Sequence, residues 1–286
     1  MAFTRRASLS FAGAAAALTL AAPRLGAQVS FRLGLTPVFR DNDAAIIEQL
    51  RATLGAAMGR SVELVQRRTY QEVTGLLLGG AVDAAWLCGY PYLQHQTALS
   101  LVAVPLWRGA PRYRSYLIAA PTDDARALAD LEGSMHAFSD PDSNSGYLVT
   151  ASDLARARQR PENFFARTIF TYGHRNVVRA VGAGLVRSGS VDGYVWETLA
   201  SVEPDLTAQT KVIARSEWLG FPPFCARADR MASPNLRAFQ SCLLNMSATE
   251  EGRRALALLQ LDGMVPGTPA LFDGIARRLR DFDGAR

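Results

Sequence analysis

Apolar and polar positions alternate in short blocks along this chain. Phe31-Arg32-Leu33-Gly34-Leu35 reads as a first strand stopped at Thr36-Pro37, since proline fixes φ and gives no ladder donor. Residues 44–58 carry apolar side chains at helical spacing, and residues 61–66 alternate as a half-buried strand does. Residues 70–78 are helical, Gly79-Gly80 ends them, and residues 83–87 form a third apolar strand. After Arg112 the pattern restarts. It predicts strands over 116–120, 135–138, 168–172 and 192–196, with helices over 125–131, 148–159 and 176–184 between them. Residues 211–215 are extended, 222–226 cross back, and helical patterns over 233–245, 248–259 and 269–281 close the chain. Such alternation predicts an α/β protein with sheets covered by helices.

An internal echo suggests how the elements are grouped. Thr74 to Trp86 runs helix, glycine stop, Val82-Asp83, strand, tryptophan. The stretch from Val177 to Trp196 runs in the same order, with Ser188-Gly189-Ser190 before Val191-Asp192. Two similarly built halves imply two lobes facing a cleft. Ligands of open α/β sheets sit at the carboxyl ends of the strands.

One such end carries the most chemistry. His136-Ala137-Phe138 leads into Ser139-Asp140-Pro141-Asp142-Ser143-Asn144-Ser145-Gly146, and a helical pattern comes at once after it. A helix start leaves its first N–H groups without intrahelical partners, and the dipole adds partial positive charge there. Two readings stand: ordinary capping by Ser143 or Ser145, or an anion site that needs no lysine or arginine.

Composition narrows the function classes. Residues 1–27 show Arg5 and Arg6, an uncharged alanine- and leucine-rich stretch and small residues at Leu25-Gly26-Ala27, the layout of a cleaved export signal. The paired arginines fit a twin-arginine signal or a plain positive leader. Of 31 basic residues, three arginines lie in that leader, so 28 bases face 26 acids after cleavage and the formal charge falls from +5 to +2. No nucleic-acid partner is expected. Lys211 is the sole lysine, which disfavours Schiff-base enzymes and with them pyridoxal phosphate; no cofactor is expected. Three cysteines are too few for a disulfide framework, although Cys225 and Cys242 could pair after export. His95, His136 and His174 are scattered, no metal site is expected, and no nucleophile elbow or His-Glu-x-x-His motif occurs. The chain is therefore read as a non-enzyme, an exported hydrolase with a Ser145–His174 pair being the competing class.

Three segments in this order, Val82 to Tyr92, Ser139 to Leu148 and His174 to Val181, carry a resemblance. The chain resembles the phosphate, phosphite and phosphonate periplasmic substrate-binding proteins of ABC transporters, over essentially all of its mature length. The resemblance implies a type II periplasmic-binding fold: two α/β lobes with mixed sheets and flanking helices, joined by two crossing strands. Lobe 1 would comprise residues 28–113 plus 216–286, and lobe 2 residues 114–215. It implies that Ser143, Asn144, Ser145 and Gly146 bind oxyanion oxygens and that His174 adds a ring N–H. Tyr70 and Tyr90 would reach in from lobe 1, and residues near Trp196, Glu197, Glu217 and Trp218 would tune selectivity. The implied partners are a small oxyanion and a membrane permease, or a membrane sensor kinase, with the receptor a monomer in the periplasm. Cys88 departs from what phosphate requires: it is either a small buried hydrophobe or a ligand for a thiophilic species such as arsenite.

Overall fold

A computed structural model describes residues 1–2, 30–37 and 44–284. The export-signal reading falls on residues outside this range, apart from its first two. Thirteen strands occur among the described residues. β1 (Phe31–Leu35), β2 (Val62–Gln66), β3 (Ala84–Trp86), β4 (Leu99–Leu106), β5 (Arg112–Tyr113), β6 (Ser115–Ala119) and β7 (Met135–Phe138) come first. Then come β8 (Arg167–Phe170), β9 (Ser188–Asp192), β10 (Lys211–Arg215), β11 (Leu219–Gly220), β12 (Phe224–Arg227) and β13 (Gly263–Val265).

They form two mixed sheets and a small link. The first sheet has the order β13-β4-β12-β3-β1-β2, the second β10-β6-β9-β7-β8, and β5 pairs with β11 as a separate two-stranded ribbon. In the first sheet β1 is parallel to β2 and β3, while β12 and β13 run antiparallel to their neighbours. In the second, β7 is parallel to β8 and β9, and β6 is antiparallel to β9 and β10. The alternation in the sequence does not predict these antiparallel members. β6 and β12 arise where the chain passes from one sheet to the other rather than through a helical crossover, whereas β13 follows β12 through helices of the same side.

The ribbon of β5 and β11 is where the chain passes between the sheets: Leu219 pairs with Tyr113 and Gly220 with Arg112. The sequence places the return crossing at 222–226, but that segment contains β12, which lies inside the first sheet between β3 and β4. Helices cover both sheets. Those over Ala44–Met58 and Tyr70–Leu78 bury Leu50, Leu54, Val73 and Leu77 against the first. That over His174–Gly182 turns Val177, Val178 and Val181 inward against the second.

The expected strand over 192–196 is corrected. The strand is β9, formed by the small residues Ser188 to Asp192, and residues Gly193–Val202 are helical. Gly189 is required there: a Cβ would lie 2.4 Å from Val177 Cγ1 of the covering helix. Asp192 ends the strand and caps the helix, its Oδ1 accepting from Tyr194 N at 2.8 Å and Val195 N at 3.2 Å. The echo therefore slips at its second copy, where Trp196 sits in a helix rather than at a strand end.

Candidate functional site

The serine-rich turn begins where β7 stops at Phe138. Ser143 caps the helical turn beyond it, its Oγ accepting from Gly146 N at 3.0 Å. That turn, Asn144–Leu148, is wound as a π-helix before the regular helix Val149–Arg156. Such widened turns recur at functional sites. The turn is pulled tight against the strand, with Ser139 N donating to Gly146 O at 3.2 Å. Gly146 permits this, because a Cβ there would come within 1.9 Å of Ser139 Oγ. From β6, two strands away in the same sheet, Ser115 Oγ donates to Ser145 O at 2.6 Å.

This arrangement meets four residues from elsewhere. Tyr70, the first residue of its helix, places Oη 3.1 Å from His174 Nε2, and its backbone N donates to Asp140 Oδ2 at 3.1 Å. Asn144 N donates to Cys88 Sγ at 3.2 Å, and Asn144 Nδ2 to Tyr113 Oη at 2.8 Å. Tyr70 and Cys88 adjoin strands of the first sheet; Asp140, Asn144 and His174 adjoin strands of the second. Three hydrogen bonds thus close the space between the sheets, and the two-residue crossing strand β5 adds Tyr113.

The protonation of His174 is set by its partners. Asp192 N donates to His174 Nδ1 at 3.1 Å, so Nδ1 is the acceptor and the ring proton sits on Nε2, facing Tyr70 Oη. Burial holds this imidazole neutral, pushing its pKa down to about 3. The same cause disfavours the charged forms of the other groups. Burial pushes the Cys88 thiol up to about 12 and raises Tyr70 and Tyr113 well above the ordinary phenol value. Asp192 is pushed up to about 7 by burial, against the pull of the Val195 and Tyr194 N–H groups and the Ser145 hydroxyl.

Three atoms lack partners here. Ser139 Oγ, Asn144 Oδ1 and Ser145 Oγ are buried and make no hydrogen bond, in residues no more than 1% exposed. Buried polar atoms are nearly always satisfied, so an orphan set asks for a partner from outside the chain.

Of the residues named from the sequence, the structure brings Tyr70, Cys88, Ser143, Asn144, Ser145, Gly146 and His174 together. Tyr90 is buried beside them on the Gly89–Gln94 helix, its backbone N–H holding the Cys88 sulfur. Trp196, Glu197 and Trp218 are not brought in. Trp196 Nε1 donates to Thr210 Oγ1 at 3.0 Å, and Glu197 bonds Tyr116 Oη at 2.9 Å and Arg108 at 3.2 Å. Trp218 is 47% exposed beneath the Arg114 guanidinium. Glu217 is taken by Arg278, which also reaches Asp153. Sequence reasoning missed Tyr113, Ser115, Asp140 and Asp192, although Asp140 and Asp192 lie inside the motifs singled out. Cys225 and Cys242 are buried and unpaired. Among the described residues no group of three or more His, Cys, Asp or Glu side chains could hold a metal ion, and no helix is long and apolar enough to cross a membrane.

Residues 33–272 match the model of the family described as ABC transporter, phosphonate, periplasmic substrate-binding protein. The chain belongs to this family. Its members are substrate-binding proteins of a transport system. Solved structures share the two-lobed fold. A binding protein component of an ABC phosphonate transporter from Pseudomonas aeruginosa superposes with a TM-score of 0.81 at 21% identity, over 90% of this chain and 89% of that one. PhnD1 from Prochlorococcus marinus in complex with methylphosphonate gives 0.77 at 14% identity, over 89% and 98%. A Xanthomonas citri protein bound to chloride ion gives 0.68 at 18% identity, over 90% and 96%. No curated protein matches the chain.

Proposed function

We propose that this phosphonate-family protein captures a small tetrahedral oxyanion, a phosphonate, phosphite or phosphate, between its lobes and delivers it to a membrane permease. The observation that carries this reading is a pair of buried hydroxyls that complete no hydrogen bond, Ser139 Oγ and Ser145 Oγ, on either side of the cap that starts a helical turn. Oxyanion oxygens there would accept from Ser145 Oγ, from the Asn144 N–H now bonded to Cys88, and from Tyr70 Oη. Neutral donors suffice for a desolvated anion when several converge. The lobes are proposed as residues 28–113 plus 216–286 and residues 114–215. The working form is proposed as an exported, periplasmic monomer.

A hydrolase is disfavoured by the same geometry. Both ring nitrogens of His174 are engaged, by Asp192 N and Tyr70 Oη, so no free base faces Ser145. One observation favours a second ligand: Cys88 Sγ occupies the Asn144 N–H, which places a thiol where arsenite would meet it, with a sensor kinase as the alternative partner. Titration calorimetry with methylphosphonate, phosphite, phosphate and arsenite tests both. Binding of a phosphorus oxyanion that survives Cys88→Ser supports the first reading; arsenite binding alone, lost in Cys88→Ser, replaces it with the second.

A further inference from the structure

Asp192 is a fully buried carboxylate beside the oxyanion site, and the ligand contacts proposed so far leave its side chain unused. It ends β9 opposite Ser115, whose hydroxyl holds the Ser145 carbonyl. Its backbone N–H fixes the His174 tautomer. Its side chain is 1% exposed, and Oδ1 alone takes both capping N–H groups. Oδ2 accepts no hydrogen bond among the described residues. The Ser145 hydroxyl lies near enough to favour the ionised form but completes no bond of good geometry.

The charge around it is one-sided. The titratable groups that face Asp192 are Tyr70 on its helix, Cys88 beyond β3, Tyr113 on β5, Tyr194 on the helix Asp192 caps, and His174. None of them is a cation at neutral pH. Arg114, across the strand pair next to Ser115, has its guanidinium over Trp218 instead, and Arg187 is held by Asp123. An anion without a proton would therefore meet a buried carboxylate with nothing to offset the repulsion. An anion bearing a hydroxyl could turn the same carboxylate into an acceptor, through a short charge-assisted bond.

We propose that Asp192 reads the ligand's protonation: its free Oδ2 accepts a hydrogen bond from a hydroxyl on the tetrahedral oxyanion, so the cleft admits anions that bring a proton and rejects sulfate. This rests on the oxyanion reading of the site. The proton is shared between ligand and carboxylate, and no bond other than that to hydrogen changes.

The test uses the full chain with methylphosphonate, phosphate and sulfate in titration calorimetry. The wild type is expected to bind phosphate at least about 100-fold more tightly than sulfate, and Asp192→Asn, which keeps a capping oxygen, to narrow the gap to about 10-fold or less. Above the ligand's second ionisation, wild-type binding is expected to take up a proton, read from heats in buffers of different ionisation enthalpy. This arm needs no variant and holds if Asp192→Asn does not fold. An unchanged phosphate-to-sulfate ratio in Asp192→Asn, or wild-type binding with no proton uptake, overturns the inference while the oxyanion reading survives. Failure of all three anions to bind the wild type overturns both.

Discussion

Two buried histidines sit in this molecule, and only one of them lies at the candidate ligand site. His136 and His174 are both at most 2% exposed, and burial pushes both down to about 3. Both have both ring nitrogens engaged. The difference lies in the partners. His136 stands 2.8 Å from Ser188 Oγ and 2.9 Å from Ser190 Oγ, Thr150 Oγ1 reaches Ser190 Oγ at 2.6 Å, and the Phe165 ring stacks 4.4 Å away. All of these belong to the second sheet and its cover, and none of these hydroxyls is orphaned. His174 instead joins elements from the two sides, among orphaned atoms at Ser139, Asn144 and Ser145. Burial and shifted ionisation do not mark a site; unmet hydrogen-bonding capacity across a boundary does.

The largest test of that distinction is His136→Ala. It leaves Ser188 unsatisfied, strips Ser190 of one of its two partners and opens a hole against Phe165, so a loss of about 3–5 kcal/mol is expected in denaturant unfolding. Methylphosphonate affinity of the folded protein is expected to stay unchanged. A comparable loss of affinity would place His136 in the site and erase the contrast.

Ser145→Ala should behave in the opposite way. Its hydroxyl completes no hydrogen bond of good geometry, so removing it should change stability by no more than about 0.5 kcal/mol. Removing a donor to a charged ligand should weaken methylphosphonate binding about 10- to 100-fold. Lost stability with retained affinity would make Ser145 a core residue like Ser190.

The same contrast separates the parts of the fold that are legible in the sequence from those that are not. Tyr70–Leu78 and Lys211–Arg215 are predicted at their observed bounds; for the helix the signals are local, since Thr69 and Glu72 form a capping box and Gly79 comes directly after the last helical residue. The serine turn is legible for the same reason. Residues 192–196 are misread because Val-Asp-Gly-Tyr-Val-Trp has strand-like composition, whereas the strand is decided by position. Ser188-Gly189-Ser190 lies between β6 and β7, where only small residues fit beneath Val177. Tyr113 and Asp192 enter the site through the crossing ribbon and a strand end, a convergence made by topology that leaves no local trace. Glu197 and Trp218 are expected from the resemblance alone and Trp196 also from the echo, and in this chain their partners are Arg108, Arg114 and Thr210.

Acid titration sharpens the comparison from another side. A histidine with a value of 6.5 when unfolded and about 3 when buried gives stability that is complete above 6.5 and is lost as pH falls towards 3. His136→Gln should remove a slope of up to about 1.4 kcal/mol per pH unit in that window. Asp192 runs the other way. Its value rises from 3.8 to about 7 on burial, so it gives stability that is lost as pH climbs through that interval. Asp192→Asn should therefore gain on the wild type between pH 3.8 and 7, measured as the shift in urea midpoint. A constant offset between variant and wild type at every pH would show that the carboxyl titrates alike in folded and unfolded chains.

The smallest expected effect isolates the bond between the sides. Tyr70→Phe removes only the hydroxyl that accepts from His174 Nε2. The ring stays in its packed place, and His174 keeps its orientation through the Asp192 N–H. The unliganded protein should thus lose about 1 kcal/mol or less, the worth of one neutral hydrogen bond. The closed, liganded form loses in addition a donor to the anion, so methylphosphonate affinity should fall about 5- to 30-fold. The two losses are read separately, by urea unfolding without ligand and by calorimetry with it. If they came out equal, Tyr70 Oη would serve the fold as Ser188 serves His136. A larger loss with ligand present means that the hydroxyl donates a hydrogen bond to the anion while its lone pair holds His174.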